Sequence, residues 1–307
     1  MRALVVTNMY PTPARPALGS FVRDQVAALR RIHGVEVEVF AFDPGNLNAY
    51  VDAARNLRRQ NNGDFDVVHA HFGLTAWPAF AAHGHAHAVT LHGTDLVHPR
   101  SRAITTAALP FLDLVATVSE PLAAEVPAWA VRRGRRAVLP CGVDMERFHP
   151  IMRSEARERL GLKQTGRYVL FPADPARPEK RYDRARAVAP GNAELLTLGN
   201  VDPAEVPFYV NAANAVLVPS ERESFGLAVL EALACNVPVL ATPVGIAPEA
   251  LSDVPGTLCA PFHEEIWRAA LEPAMTDDDP RIDGRARAEA YSSDRMAGDV
   301  VAAWRSL

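Results

Sequence analysis

Two glutamates eight residues apart, Glu223 and Glu231, flank an apolar stretch and are the first candidates for chemistry in this chain. Residues 215–218 (Ala-Val-Leu-Val) form a short run closed by Pro219 and Ser220, the pattern of a buried strand in a parallel sheet. A helix is expected from about Phe225. It ends at Asn236, which tolerates the left-handed C-terminal cap, and Pro238 stops any continuation. Leu227, Val229, Leu230, Leu233 and the alanines leave almost no polar face, yet Glu231 shares a face with Leu227, Leu230 and Ala234. A carboxylate in that position needs a partner: an arginine, an edge open to water, or a ligand. Glu223 lies in the loop at the helix start, which in a doubly wound sheet stands at the carboxyl end of a strand, where ligands bind. The free amides of Phe225, Gly226 and Leu227 would point at an anion placed there.

His92 follows the apolar run 88–91 and is expected at the ligand edge of its own sheet, with Asp95 three residues on. Seven of the ten histidines fall between His69 and His98. His69 and His71, like His83, His85 and His87, would share a strand face, but no carboxylate or cysteine set accompanies them, so no metal is expected. Asp64-Phe-Asp66 has the spacing of a metal-binding D-x-D, yet it precedes its strand and lies at the opposite, amino end of the sheet. Lysine occurs only at Lys163 and Lys180, while arginine is abundant. Three scattered cysteines (Cys141, Cys235, Cys259) give neither a disulfide framework nor a zinc pattern and imply a reducing, cytoplasmic compartment. A net charge of -4 and a pI near 6.2 argue against a nucleic-acid binder. The first apolar run is too short for a signal peptide or a membrane span. Arginines 132, 133, 135 and 136, and arginines 55, 58 and 59, read as solvated faces, with weak peripheral attraction to an anionic membrane as a second use.

These groups need a scaffold, and 307 residues suffice for two domains with real cores. Strands are expected at 3–7, 35–42, 66–71, 88–91, 114–119 and 137–140, alternating with helices that include one over 74–82. The alternation breaks at 141–150, which reads as a linker. It resumes with a strand at 168–171, a helix from about 179, a strand at 194–198, a helix over 204–213, the stretch around the glutamates, and a last strand at 258–260. Residues 291–307 suit a closing helix with an apolar stripe of Met296, Val300, Val301 and Trp304. Strand–helix alternation implies parallel sheets covered on both faces. The expected fold is therefore α/β, with two Rossmann-like doubly wound domains facing across a cleft. The boundaries are 1–148 and 149–289, with 290–307 joined to the first domain.

Glu223-Ser-Phe-Gly-x4-Glu231, followed by Pro-Val-Leu-Ala-Thr-Pro-Val-Gly245, resembles the E-x7-E signature of retaining glycosyltransferase family 4, whose members have the GT-B fold. Asn8-x-Tyr-Pro with Gly19-Ser-Phe is similar to the family's first loop. His92-Gly-Thr-Asp95 is similar to its histidine loop, and Pro140-Cys-Gly-Val-Asp144 with Phe148-x-Pro150 to its linker. Tyr291-Ser-Ser-x-Arg295 resembles the start of its terminal helix. The branch most resembled builds bacterial cell-surface polysaccharides.

The resemblance implies metal-independent transfer of a sugar, with retention, from a nucleotide diphosphate sugar to a hydroxyl of a glycan, glycolipid or small molecule. No cofactor and no nucleic acid is implied. Glu231 would accept hydrogen bonds from the ribose hydroxyls, and Glu223, Ser224 and the amides of Phe225, Gly226 and Leu227 would hold the sugar and its phosphate. Arg177 and Lys180 resemble the family's diphosphate-neutralising pair, at tighter spacing than R-x4-K, with Arg181 a rival for either role. His92 would contact the donor sugar near the reacting carbon, oriented by Asp95. Gly19 would let backbone approach the phosphate or acceptor closely, although the family's glycine pair is here reduced to Leu-Gly-Ser. A nucleotide-sugar epimerase or hydrolase of the same fold, or a non-catalytic nucleotide-sugar binder, are the alternatives.

Overall fold

The computed structural model describes residues 1–60, 63–132, 134–199 and 201–307, so Arg133 of the basic run 132–136 lies outside the described residues. The chain forms two compact units, Met1–Gly142 together with Ser293–Leu307, and Val143–Ser292.

In the first unit six strands, β1 (Arg2–Thr7), β2 (Glu36–Ala41), β3 (Phe65–His71), β4 (Gly84–Leu91), β5 (Leu114–Thr117) and β6 (Arg135–Val138), make one sheet in the order β2-β1-β3-β4-β5-β6. Every pairing is parallel. The apolar runs predicted the central strands because a parallel sheet is covered on both faces. On one face the helix Ser20–Arg31 buries Val22, Val26 and Leu29, and the closing helix Ser293–Arg305 buries Met296, Ala297, Val300, Val301 and Trp304 in the same core. Arg31 and Asp294 tie the two helices at 2.6 Å.

Several local expectations differ from the fold: β6 runs over Arg135–Val138 rather than 137–140, and β3 begins at Phe65, so that Asp66 lies within it. β4 begins at Gly84 rather than 88, so the run His85-x-His87 lies on its first half. The helix expected over 74–82 is reduced to a single 3-10 turn, Gly73–Thr75, and a four-residue helix, Ala76–Ala79, because the chain must turn back sharply into β4.

The second unit carries β7 (Arg167–Phe171), β8 (Ala193–Thr197), β9 (Ala215–Val218), β10 (Val239–Ala241) and β11 (Leu258–Cys259), in the order β11-β10-β9-β7-β8, again all parallel. Its core gathers Val169, Phe171, Leu217, Leu240, Trp267 and Leu271. Residues 143–148 belong to this unit, six residues earlier than the boundary expected from the linker pattern. Phe148 is buried and its carbonyl accepts from Arg285 at 2.7 Å, while Asp144 Oδ1 caps the amides of Glu146 and Arg147. Because the sheets are parallel, the loops after β7, β9 and β10 share one edge of the second sheet, and those after β1, β3 and β4 share one edge of the first. Among the described residues no helix is long and apolar enough to cross a membrane.

Candidate functional site

The second unit's constellation forms at the end of β9. The chain leaves the strand through Pro219 and Ser220, and Gly226 turns it into the helix Leu227–Ala234, two residues later than expected. Lys180, in the loop after β7, reaches across to Glu223, its Nζ 2.6 and 2.7 Å from the two carboxylate oxygens. Ser220 Oγ donates to Glu223 Oε1 at 2.7 Å. Both charged side chains are mostly shielded, at 16% and 11% exposure, so their attraction is far less screened than that of a surface pair.

An ammonium has three N–H groups and an ionised carboxylate about four acceptor positions. Lys180 uses two donors on Glu223 and keeps one. Glu223 accepts twice on Oε1 and once on Oε2, which leaves an acceptor position. The pair therefore keeps one ammonium N–H and one carboxylate acceptor position, in a cluster that Ser220 also joins.

The loop after β10 buttresses this arrangement. Ile246 N–H donates to the Phe225 carbonyl at 2.6 Å. Gly245 has φ of +60°, and a Cβ there would overlap the Phe225 carbonyl and stand 2.9 Å from Glu223 Cβ. Only glycine lets the two loops meet this closely. Phe225 is itself buried, so its ring anchors the loop, while Ser224, Gly226 and Leu227 are half-buried. On the helix, Leu227, Ala228 and Glu231 are the half-exposed strip and Val229, Leu230, Ala232, Leu233 and Ala234 are buried. Glu231 is thus less buried than the apolar pattern suggested, and it belongs to the half-exposed strip. At the helix end Asn236 adopts φ of 57°, as expected of its residue type, and its Oδ1 accepts from the amides of Gly284 and Arg285.

Arg177 is directed elsewhere. Its guanidinium pairs with Glu179 at 2.7 Å and its side chain is 55% exposed. Arg181 binds Asp183 and Glu221. Lys180 is thus the member of the basic loop that meets Glu223.

In the first unit His92 stands just after β4, half-buried, with its ring tilted on Phe21 at 4.9 Å. Asp95 is fully buried and its carboxylate accepts from three backbone amides, those of Gly73, His92 and Gly93. It therefore fixes the loop that carries His92 through the main chain rather than by gripping the imidazole. Burial raises the Asp95 pKa, and the amide bonds oppose that shift. Gly19 has φ of 64°, and the space a Cβ would need is filled by the carbonyl of Met9. Its close backbone approach is thus to its own loop.

His71 and Ser220 were not singled out from the sequence as site residues. His71 Nδ1 lies 3.0 Å from His92 Nε2; the two-residue spacing of His69 and His71 signalled a shared strand face, but not that their strand lies beside β4, which His92 follows. Ser220 had no signal beyond standing at a strand end. Among the described residues no three His, Cys, Asp or Glu side chains are gathered in a metal-binding set.

Comparison with known proteins identifies the family of the chain. The family profile "Glycosyltransferase Family 4" matches residues 2–147, and "Glycosyl transferases group 1" matches residues 156–292. A D-inositol 3-phosphate glycosyltransferase of Actinosynnema mirum is 30% identical over 96% of this chain and 84% of its own length. A glycosyltransferase of Bacillus subtilis named for teichuronic acid biosynthesis is 24% identical over 91% and 92%. Among solved structures, the sucrose-phosphate synthase of Thermosynechococcus elongatus superposes with a TM-score of 0.76 at 19% identity, covering 100% of this chain and 99% of that one. Anabaena HepE in complex with UDP-glucose gives 0.72 at 17% identity, covering 99% and 100%. These structures carry the GT-B fold, as the two parallel-sheet units do here, and this chain is a glycosyltransferase that belongs to glycosyltransferase family 4.

Proposed function

We propose that the chain transfers a sugar, with retention and without a metal, from a nucleoside diphosphate sugar bound by the second unit to a hydroxyl of a glycan, glycolipid or polyol acceptor. The observation that carries this reading is the Lys180–Glu223–Ser220 cluster at the start of the helix Leu227–Ala234. Its spare ammonium N–H and the helix-start amides suit the leaving diphosphate, where negative charge grows as the glycosidic bond breaks. The spare acceptor position on Glu223 suits a sugar hydroxyl. Glu231, on the half-exposed strip of the helix, suits the two ribose hydroxyls, and the Anabaena structure solved with UDP-glucose supports a donor of this class.

Arg177 is free to swing from its exposed pair with Glu179 toward the diphosphate, since surface pairs are worth little. His92 supplies a hydrogen bond to the sugar in transfer, held in place by the Asp95-bound loop, and Gly19 shapes the first loop for the acceptor. In this scheme the departing phosphate takes the acceptor proton on the face it leaves, so no side chain serves as covalent nucleophile.

The test is turnover of a panel of UDP-, GDP-, ADP- and TDP-sugars with sugar and polyol acceptors, with EDTA present. Lys180→Ala is expected to lower kcat by about 10²–10³-fold, the effect of losing one donor at developing charge. Glu231→Ala is expected to abolish donor turnover while the circular dichroism spectrum is kept. NMR of the product anomeric centre should show the donor's configuration. Wild-type rates in either variant, an inverted product, or a requirement for added metal would overturn the corresponding part of the reading.

A further inference from the structure

The first unit contains a row of stacked imidazoles of which the proposed reaction uses only the last. His69 stacks on His71 at 5.0 Å, and His71 stacks on His92 at 5.3 Å. The row is anchored at its far end by the closing helix, where Trp304 Nε1–H donates to His69 Nδ1 at 2.8 Å. An indole N–H can only donate, so His69 carries its proton on Nε2 and gives it to Thr90 Oγ1 at 2.7 Å. One tautomer in the row is thereby fixed by hydrogen bonding alone.

The next link has two possible polarities. Burial pushes His71 down to about 4, and burial, then the neighbouring His71, also lowers His92 well below its ordinary value. Two neutral imidazoles with Nδ1 and Nε2 3.0 Å apart share one proton between those nitrogens. If His92 gave it, the proton of His71 would sit on its Nε2, which is buried and has no partner. If His71 gives it, that same buried Nε2 carries only a lone pair. Orphaned N–H groups are the rarer and more costly of the two in protein interiors.

We infer that His71 donates its Nδ1–H to His92 Nε2 and so fixes His92 as the Nδ1–H tautomer, which makes His92 a hydrogen-bond donor rather than an acceptor toward substrate oxygen. His71 is then a positioning residue, acting on the reaction through His92. The functional half of this statement rests on the reading of His92 as a substrate contact, whereas the tautomer itself does not. A donor at this position favours an electronegative oxygen that gains charge during transfer, on the sugar or on the leaving phosphate.

The experiment is long-range ¹H–¹⁵N NMR of substrate-free protein with ¹⁵N-labelled histidine, which distinguishes the two neutral tautomers ring by ring, with His92 assigned by its loss in His92→Gln. The expected wild-type spectrum shows His92 as Nδ1–H, and an Nε2–H ring there overturns the inference without any variant. In His71→Phe the His92 population is expected to move toward Nε2–H and kcat/KM to fall about tenfold, the worth of one buried hydrogen bond. His71→Asn, whose amide N–H takes the place of Nδ1–H, is expected to keep the tautomer and recover most of the rate. An unchanged tautomer in His71→Phe, or equal losses in the Phe and Asn variants, would overturn the positioning role. Failure of the proposed function would register separately, as absence of donor binding in a thermal-shift assay of the wild-type protein.

Discussion

Acidification from pH 7 to pH 4.5 is expected to weaken the first unit through its histidine row. In the unfolded chain each imidazole titrates near its ordinary value of 6.5, whereas His71 titrates at about 4 in the fold because it is buried. The folded state thus binds fewer protons below pH 6.5. Stability from a depressed pKa is complete above 6.5 and is lost as pH falls toward 4. For His71 alone this loss is about 2 kcal/mol by pH 4.5. For a unit of this size, that is a fall in Tm of roughly 4–8 °C. His69 and His92 are shifted in the same direction, with burial the largest cause in each. Asp95 works the other way, since burial raises its pKa and its neutral form favours the fold at low pH.

The assay is thermal unfolding followed by tryptophan fluorescence at pH 7, 6, 5 and 4.5 in a Trp267→Phe background, so that Trp304, whose indole sits on His69, reports on the first unit with its exposed companions Trp77 and Trp129. His71→Phe removes one titrating group and leaves Asp95 in place. Its stability at pH 7 is irrelevant to the comparison, and the difference between pH 7 and pH 4.5 should shrink by about 2 kcal/mol. Equal pH dependence in wild type and variant would refute the reasoning, because it would mean that His71 is protonated in the fold as readily as outside it.

Two further outcomes are expected in the second unit. Gly245→Ala should lower stability by roughly 1–3 kcal/mol and weaken nucleotide binding together, since the new Cβ meets the Phe225 carbonyl and displaces the Glu223 loop; urea unfolding and calorimetric titration with a nucleoside diphosphate check both. Asn236→Ala should lose about 2 kcal/mol, because it gives up both the left-handed preference and the two amide bonds accepted from Gly284 and Arg285, while Asn236→Gly recovers only the backbone share in the same urea titration.

The strands and their parallel sense were legible because buried parallel strands read as unbroken apolar runs between helical periods, as residues 88–91 and 215–218 do. Asn236 as a helix stop was equally plain, since few residue types accept its backbone angles. Short helices after β3 were not, because Ala76–Ala79 is set by the turn into β4 and not by periodicity. Glu223 could be placed at a strand end from the pattern. Its partners could not, since Lys180 and Ser220 are brought to it by sheet order and loop shape. Charge alone favoured Arg177 as much as Lys180, and only geometry shows that Arg177 turns to Glu179. The histidines around 69–92 gave a composition signal with no meaning until β3 and β4 were seen to lie side by side.

The return of the closing helix to the first unit has a consequence for synthesis of the chain. The second unit, Val143–Ser292, is one uninterrupted segment, whereas the first is assembled from two segments that flank it. Trp304 and His69 are separated by 235 positions. On the ribosome the second unit can therefore reach its native state first, while the earlier-made sheet waits with the face meant for Met296, Val300, Val301 and Trp304 uncovered. The part of the chain made first is thus the part finished last.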